Sequence, residues 1–285
     1  MADILTGNGH HVTVSPTTGP GTAGAIACAA IQNGADLIVA AGGDGTINEV
    51  AEGMVHSPVP LAILPGGTAN VLAMEMKLGS KLERAATRLD ECRPHRISVG
   101  HLRAENGRLE RHFLMMAGIG LDAHIVHHVN QRLKARTGKF AYWVAGWSLL
   151  GRRLPEFEIE VDGRRFICSF ALVSKVRNYG GDFEIAREVS LFDDEFEVVL
   201  FEGSSSLRYV PYFVGLAANR LQGMKGVTVL RAKHVTLAHP QDERVYIQVD
   251  GEAAGHLPAE VRLVPAALTL LVPPEYRTAK SQETV

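Results

Sequence analysis

The chain reads as an α/β domain joined to an antiparallel β-sandwich domain. Two consecutive strand–glycine turn–helix units stand in its first third, and a series of short strands separated by turns begins near residue 97. A length of 285 residues accommodates one or two such domains, with burial of roughly three quarters of the surface of the extended chain.

The first unit is built around Gly42-Gly43-Asp44-Gly45-Thr46. Residues 36–41 before it form a short apolar run suited to a buried parallel strand. After it, Ile47, Val50, Ala51 and Met54 recur at helical spacing. A glycine turn between strand and helix brings backbone close to a ligand and points free amides outward from a positive helix end, an arrangement that favours phosphate. Asp44 is the unusual member, because a carboxylate beside phosphate is repulsive unless a metal ion or a transferable proton lies between them. The second unit repeats the device, with residues 61–64 as strand, Pro65-Gly66-Gly67-Thr68 as turn and residues 69–74 as helix. Neighbouring units place both turns at the carboxyl ends of adjacent strands, where open α/β sheets bind ligands.

Residues 2–5 read as the tail of a helix and residues 11–14 as a strand. The strand-then-helix opening usual for an α/β nucleotide domain is not recognisable ahead of them. An alanine-rich helix spans residues 23–33 and stops at Gly34. In the second half, a hairpin is expected around Glu105-Asn106-Gly107, with further strands at residues 157–161, 166–174, 197–201, 227–232, 245–249 and 268–272. Helices are expected at residues 123–133 and 138–150.

Hydrophobic content of 46% and a net charge of −2 describe an ordinary soluble protein and exert no pull towards nucleic acid. Cys28, Cys92 and Cys168 are the three cysteines and lie far apart, which indicates neither a disulfide framework nor a metal site and suits reduced thiols in the cytoplasm. Met1-Ala2-Asp3 lacks the basic-then-apolar pattern of a signal peptide, and no apolar run is long enough to span a bilayer.

The blocks Gly42 to Thr46 and Pro65 to Asn70 resemble the diacylglycerol kinase catalytic domain family, which includes bacterial lipid kinases and the sphingosine kinases. The likeness continues in order through residues 118–123, 178–181, 191–196 and 250–252. It implies an ATP-binding α/β domain at residues 1–96 and a β-rich lipid-substrate domain at residues 97–285, with the active site in the cleft between them and the last residues free to pack back on the first domain. ATP contacts would fall on Thr17, Gly42, Gly43, Asp44, Gly45, Thr46, Asn48, Gly67, Thr68 and Asn70. Mg²⁺ would be held by Leu191, Asp194 and Phe196, the first and last through backbone carbonyls. Glu252, beside Asp250, matches the family's proton acceptor; Glu252 or Asp250 would accept the hydroxyl proton, and Asp44 either holds Mg²⁺ or acts on the acceptor hydroxyl. The chain departs from the family at Val71 and Ser98, where many members carry acids. The implied reaction is phosphorylation of a diacylglycerol-like lipid at a membrane surface by a peripherally associated enzyme, with a homodimer left open.

Each motif also has a plainer reading. Asp250-Gly251 is a common hairpin pair, and Asp193-Asp194-Glu195 is equally a solvated acidic loop. Gly118-x-Gly120-x-x-Ala123 fits a dinucleotide fingerprint but lacks a surrounding parallel βαβ unit. His124, His127 and His128 read as metal ligands or as a surface helix. Residues 132–153 place basic residues beside Phe140, Tyr142, Trp143 and Trp147, which suits a helix at a membrane surface or a core helix with a solvated basic end. NAD kinases also carry Gly-Gly-Asp-Gly-Thr but lack a match to Pro65–Asn70. A nucleotide-binding protein without catalysis is the reading from a different class.

Overall fold

A computed structural model describes residues 1–121, 123, 151, 153–179, 183–238 and 245–276. The expected helices at 123–133 and 138–150, the three histidines and nearly all of the basic–aromatic stretch lie outside them. The chain forms two compact units, Met1–Ser98 with Pro265–Val285, and Val99–Val264.

The first unit opens with α1 (Ala2–Gly7) and α2 (Ala23–Gln32), followed by β1 (Ile38–Gly42), α3 (Asp44–Met54), β2 (Leu61–Pro65), α4 (Val71–Glu75) and α5 (Leu82–Thr87). The strand expected at residues 11–14 does not form. Val12 packs partly buried beside Leu5, Leu64 and Leu89, but Val14 stays 64% exposed, so one apolar contact replaces a hydrogen-bonded ladder. β1 and β2 run parallel with Gly42 opposite Pro65. All five residues of β2 are buried, as expected of a strand covered on both faces. On its other edge β2 meets the far end of β16 (Ala259–Val272), where Leu270 pairs with Leu61.

α2 and α3 cross backbone to backbone. A Cβ on Gly24 would lie 2.7 Å from the Glu49 carbonyl, and one on Gly53 would collide with the carbonyl of Gly24. Alanine ordinarily favours a helix over glycine by about 1 kcal/mol. Here the collision with rigid backbone outweighs that gain, and Gly53→Ala is expected to lower stability by about 2 kcal/mol in denaturant unfolding. A Gly53→Ala protein more stable than the parent would show that the helices part without penalty.

The second unit contains β3 (Arg93–Ala104, entering from the first unit), β4 (Leu109–Phe113), β5 (Met116–Gly120), β6 (Phe157–Val161), β7 (Arg164–Cys168), β8 (Phe170–Ser174), the two-residue pair β9 (Asn178–Tyr179) and β10 (Phe183–Glu184), and β11 (Phe196–Phe201). It continues with α6 (Tyr209–Ala217), β12 (Val227–Ala232), β13 (His234–Ala238), β14 (Tyr246–Val249), β15 (Glu252–His256) and the start of β16. One antiparallel sheet runs β12-β11-β8-β5-β14-β15. Opposite it, β16, β13, β6 and β7 pair antiparallel, and β3 and β4 make the expected hairpin. The core lies between these layers: Phe157, Ile159, Val235 and Val261 face Ala117, Val173, Val198 and Ile247.

Residues 166–174, expected as one strand, divide at Ser169 between the two sheets. The Ser169 hydroxyl donates to the Gly203 carbonyl at 2.6 Å and its amide to Phe201 at 3.0 Å, so the break in the ladder is satisfied locally. The three cysteines are unpaired thiols, and burial pushes those of Cys92 and Cys168 upward, away from the reactive thiolate.

Candidate active site

The two glycine turns of the first unit form one surface. Gly43 caps α3 in extended conformation (φ −82°, ψ 176°), and Asp44 opens the helix. Beside it, the amide of Gly66 donates to the carbonyl of Gly42 at 2.9 Å. A Cβ on Gly67 would stand 2.5 Å from Gly43 Cα, and one on Gly43 would be 3.3 Å from Gly67 Cα. Glycine is demanded here by space, because the turns touch through their backbones. Asn70, in left-handed conformation (φ 47°, ψ 46°), closes the second turn by accepting from the Gly67 amide and donating to the Gly67 carbonyl, both at 2.8 Å. Gly66, Gly67 and Thr68 remain exposed.

Asp44 joins the turns. Its Oδ1 accepts from the Leu72 amide at 3.4 Å. Burial raises its carboxyl above the ordinary range, and backbone amides of Val71, Leu72 and Asn70 pull it back only partly. Thr46 packs over Gly42, and Asn48 is buried at 3% exposure. Thr17 is exposed on the loop before α2. Glu49, which the motif reading misses, anchors that loop: its two oxygens accept from the amides of Gly21 (2.7 Å) and Ala23 (3.1 Å). Val71 is buried at the start of α4, and buried Ser98 accepts from the Ala266 amide at 3.4 Å.

In the second unit, Asp250 (φ 49°) and Gly251 (φ 83°) are the two central residues of the β14–β15 hairpin. Both are left-handed, as the tight primed turn requires. The Asp250 carboxylate is 7% exposed and accepts from three amides, those of Leu114 (2.9 Å), Met115 (3.0 Å) and Met116 (2.9 Å). It latches the hairpin to the start of β5. Glu252 opens β15 half-exposed, and its Oε2 stands 3.0 Å from Nη2 of Arg111 on β4. Arg111 carries no motif signal, since its partner lies 141 residues away.

In the 190–196 loop, Asp193 is held by the Ser190 amide and by Arg231, both at 3.0 Å, while Lys175 reaches its carbonyl. Asp194 is exposed, and Leu191 and Phe196 are buried. Among the described residues no three His, Cys, Asp or Glu side chains converge on one point. The donors available from Leu191, Asp194 and Phe196 are one carboxylate and two backbone carbonyls, all oxygen, which is the chemistry a hard cation such as Mg²⁺ takes. Asn178 and Tyr179 form β9, while the glycines following them lie outside the described residues.

Residues 1–102 match the diacylglycerol kinase catalytic domain, and residues 115–272 match the YegS C-terminal NAD kinase beta sandwich-like domain. The chain is 31% identical over 261 residues to the diacylglycerol kinase of Bacillus subtilis (strain 168), covering 88% of this chain and 82% of that protein. To the diacylglycerol kinase of Mycobacterium tuberculosis (strain ATCC 25618 / H37Rv) it is 28% identical over 253 residues, covering 87% and 80%. The crystal structure of a diacylglycerol kinase from Bacillus anthracis str. Sterne superposes with a TM-score of 0.71 over 91% of this chain and 85% of that one; at 23% identity it speaks for the fold. An α/β unit with paired glycine turns and a β-sandwich, matched along these lengths, define a lipid-kinase class of phosphotransferase. The chain belongs to the diacylglycerol kinase family.

Proposed function

We propose that the protein transfers the γ-phosphate of ATP to a hydroxyl of a diacylglycerol-like lipid. The observation that carries this reading is the backbone contact between the turns at Gly43 and Gly67, which leaves exposed backbone beside the carboxylate of Asp44. Amides from Gly43 to Thr46 and that of Thr68 hold the phosphates, helped by the positive start of α3, while the Gly67 amide stays with Asn70 and keeps the second turn in shape. Glu49 keeps the Thr17 loop in place for the nucleotide. Glu252 takes the hydroxyl proton as the lipid oxygen bonds to the γ-phosphorus and the bond to the bridging oxygen breaks, leaving ADP. Arg111 orients Glu252, and Asp250 fixes the hairpin that presents it. Leu191, Asp194 and Phe196 are the residues proposed to hold Mg²⁺, and Asp44 is a candidate contact to a second ion at the phosphates. Magnesium supplies charge neutralisation at the phosphoryl oxygens.

A diacylglycerol-like acceptor resides in a bilayer, so the enzyme works as a peripheral protein at the cytoplasmic membrane face. No helix among the described residues is long and apolar enough to cross a membrane. Incubation with radiolabelled ATP, Mg²⁺ and a panel of diacylglycerol, other hydroxylated lipids and NAD tests the assignment. Label in the lipid phase with diacylglycerol is expected; label in NAD alone would overturn it.

A further inference from the structure

A lysine is almost never fully buried unless its ammonium is paired, and Lys175 has 0% exposure. It follows β8, and its own amide donates to the Met115 carbonyl at 2.7 Å. Met115 is one of the three residues whose amides hold the Asp250 carboxylate. Lys175 is thus rooted on the strand start that latches the Glu252 hairpin. Its ammonium crosses to the 190–196 loop and donates to the carbonyl of Asp193.

The segment between β10 and β11 forms no ladder, so side chains take the backbone groups that a sheet would otherwise satisfy. Glu197, at 0% exposure, accepts from the amides of Arg187 and Glu188 at 3.1 and 2.8 Å. Arg231 reaches the Glu188 carbonyl, and Arg177 donates to that of Val189 at 3.3 Å. These contacts fix the approach to the loop. Lys175 acts further along. The carbonyl it holds lies in one rigid peptide plane with the amide of Asp194. Fixing that plane sets the backbone entering the residue that supplies the carboxylate of the proposed Mg²⁺ set.

We propose that Lys175 is a positioning residue for metal binding, its buried ammonium holding the Asp193–Asp194 peptide so that Mg²⁺ meets a loop already shaped. The proposal rests on the assignment of Leu191, Asp194 and Phe196 to Mg²⁺. Two effects of the ammonium oppose each other: it repels a second cation, and it orders the loop in advance. Ordering is expected to dominate, because an ion that meets an unformed loop must shape it on binding and loses affinity accordingly.

The test is thermal unfolding of the full chain without nucleotide as Mg²⁺ is titrated, since an ion that binds the folded state raises the unfolding temperature. The parent is expected to respond, and Asp194→Asn to lose the response. Lys175→Met removes the ammonium at similar length and should need at least about tenfold more Mg²⁺ for half of the shift. Lys175→Gln, shorter and neutral, reads the same change should the Met protein fail to fold. Lys175→Arg keeps a cationic donor and should stay closer to the parent. In turnover at a fixed concentration of the ATP–Mg²⁺ complex, the free Mg²⁺ giving half-maximal rate should rise with Lys175→Met. The KM for ATP at saturating Mg²⁺ should stay within about threefold of the parent's. A lower unfolding temperature with a parental Mg²⁺ midpoint in the Met and Gln proteins would make Lys175 a purely structural residue and overturn the proposal. Tighter Mg²⁺ binding by those proteins would also overturn it, showing that repulsion outweighs order. Both results leave the metal assignment standing. A Mg²⁺ response that survives Asp194→Asn, or a parent without one, removes the metal assignment and the proposal with it.

Discussion

Asp44→Asn is expected to abolish phosphoryl transfer, a loss of at least about 10³-fold, while leaving the fold intact. The amide keeps the size of the side chain and an oxygen for the Leu72 amide, whose 3.4 Å contact contributes little by itself. What is lost is charge at the junction of the two turns proposed to hold phosphate. Stability should move the opposite way from activity. Because burial raises the Asp44 carboxyl, the folded chain holds this proton more tightly than the unfolded one. That preference stabilises the fold fully below the unfolded value of about 3.9, and the contribution is lost as pH rises through the folded value. Without nucleotide or metal, the Asn variant should therefore unfold at a higher temperature than the parent near about pH 8, with the gap closing towards about pH 4. A variant with parental turnover would remove Asp44 from the chemistry. A variant less stable than the parent at every pH would show the carboxylate to be a structural acceptor.

Glu252 and Asp250, one residue apart, should fail in different ways. Glu252→Gln is expected to lower kcat by about 10²-fold or more, with little change in unfolding temperature. Its ion pair with Arg111 is partly exposed, and such pairs contribute at most about 1 kcal/mol. Asp250→Asn should instead destabilise the second unit by about 3 kcal/mol, because one amide oxygen cannot serve three buried backbone donors. Its residual activity should follow the folded fraction. If Glu252→Gln lost stability and kept its specific activity, the hairpin alone would explain the residue.

These contrasts show which parts of the molecule are local in sequence. The strand–turn–helix units around Gly43 and Gly67 are legible because β-branched runs, glycines and helical spacing lie within about twenty residues. Asp250-Gly251 is legible as a turn for the same reason. The latch from Asp250 to residues 114–116 is not, since three donors on another strand create it. Glu49 and Arg111 are hidden likewise, their partners being supplied by folding. The α6 helix escaped detection because Pro211 interrupts the pattern and apolar residues occupy both sides. Two adjacent strands also read as one at Ser169, because hydrophobicity continues across the point where the chain changes sheets.

One strand sets the order in which the protein can be completed. As the chain leaves the ribosome, residues 1–98 emerge first, but the first unit also requires Pro265–Val285. β2 has only one of its two neighbours until the end of β16 arrives and Leu270 comes beside Leu61. The contiguous second unit, Val99–Val264, meets no such delay. The half made first therefore closes last, and during translation the nascent chain carries the apolar flank of Leu61–Pro65 uncovered, as a client surface for chaperones.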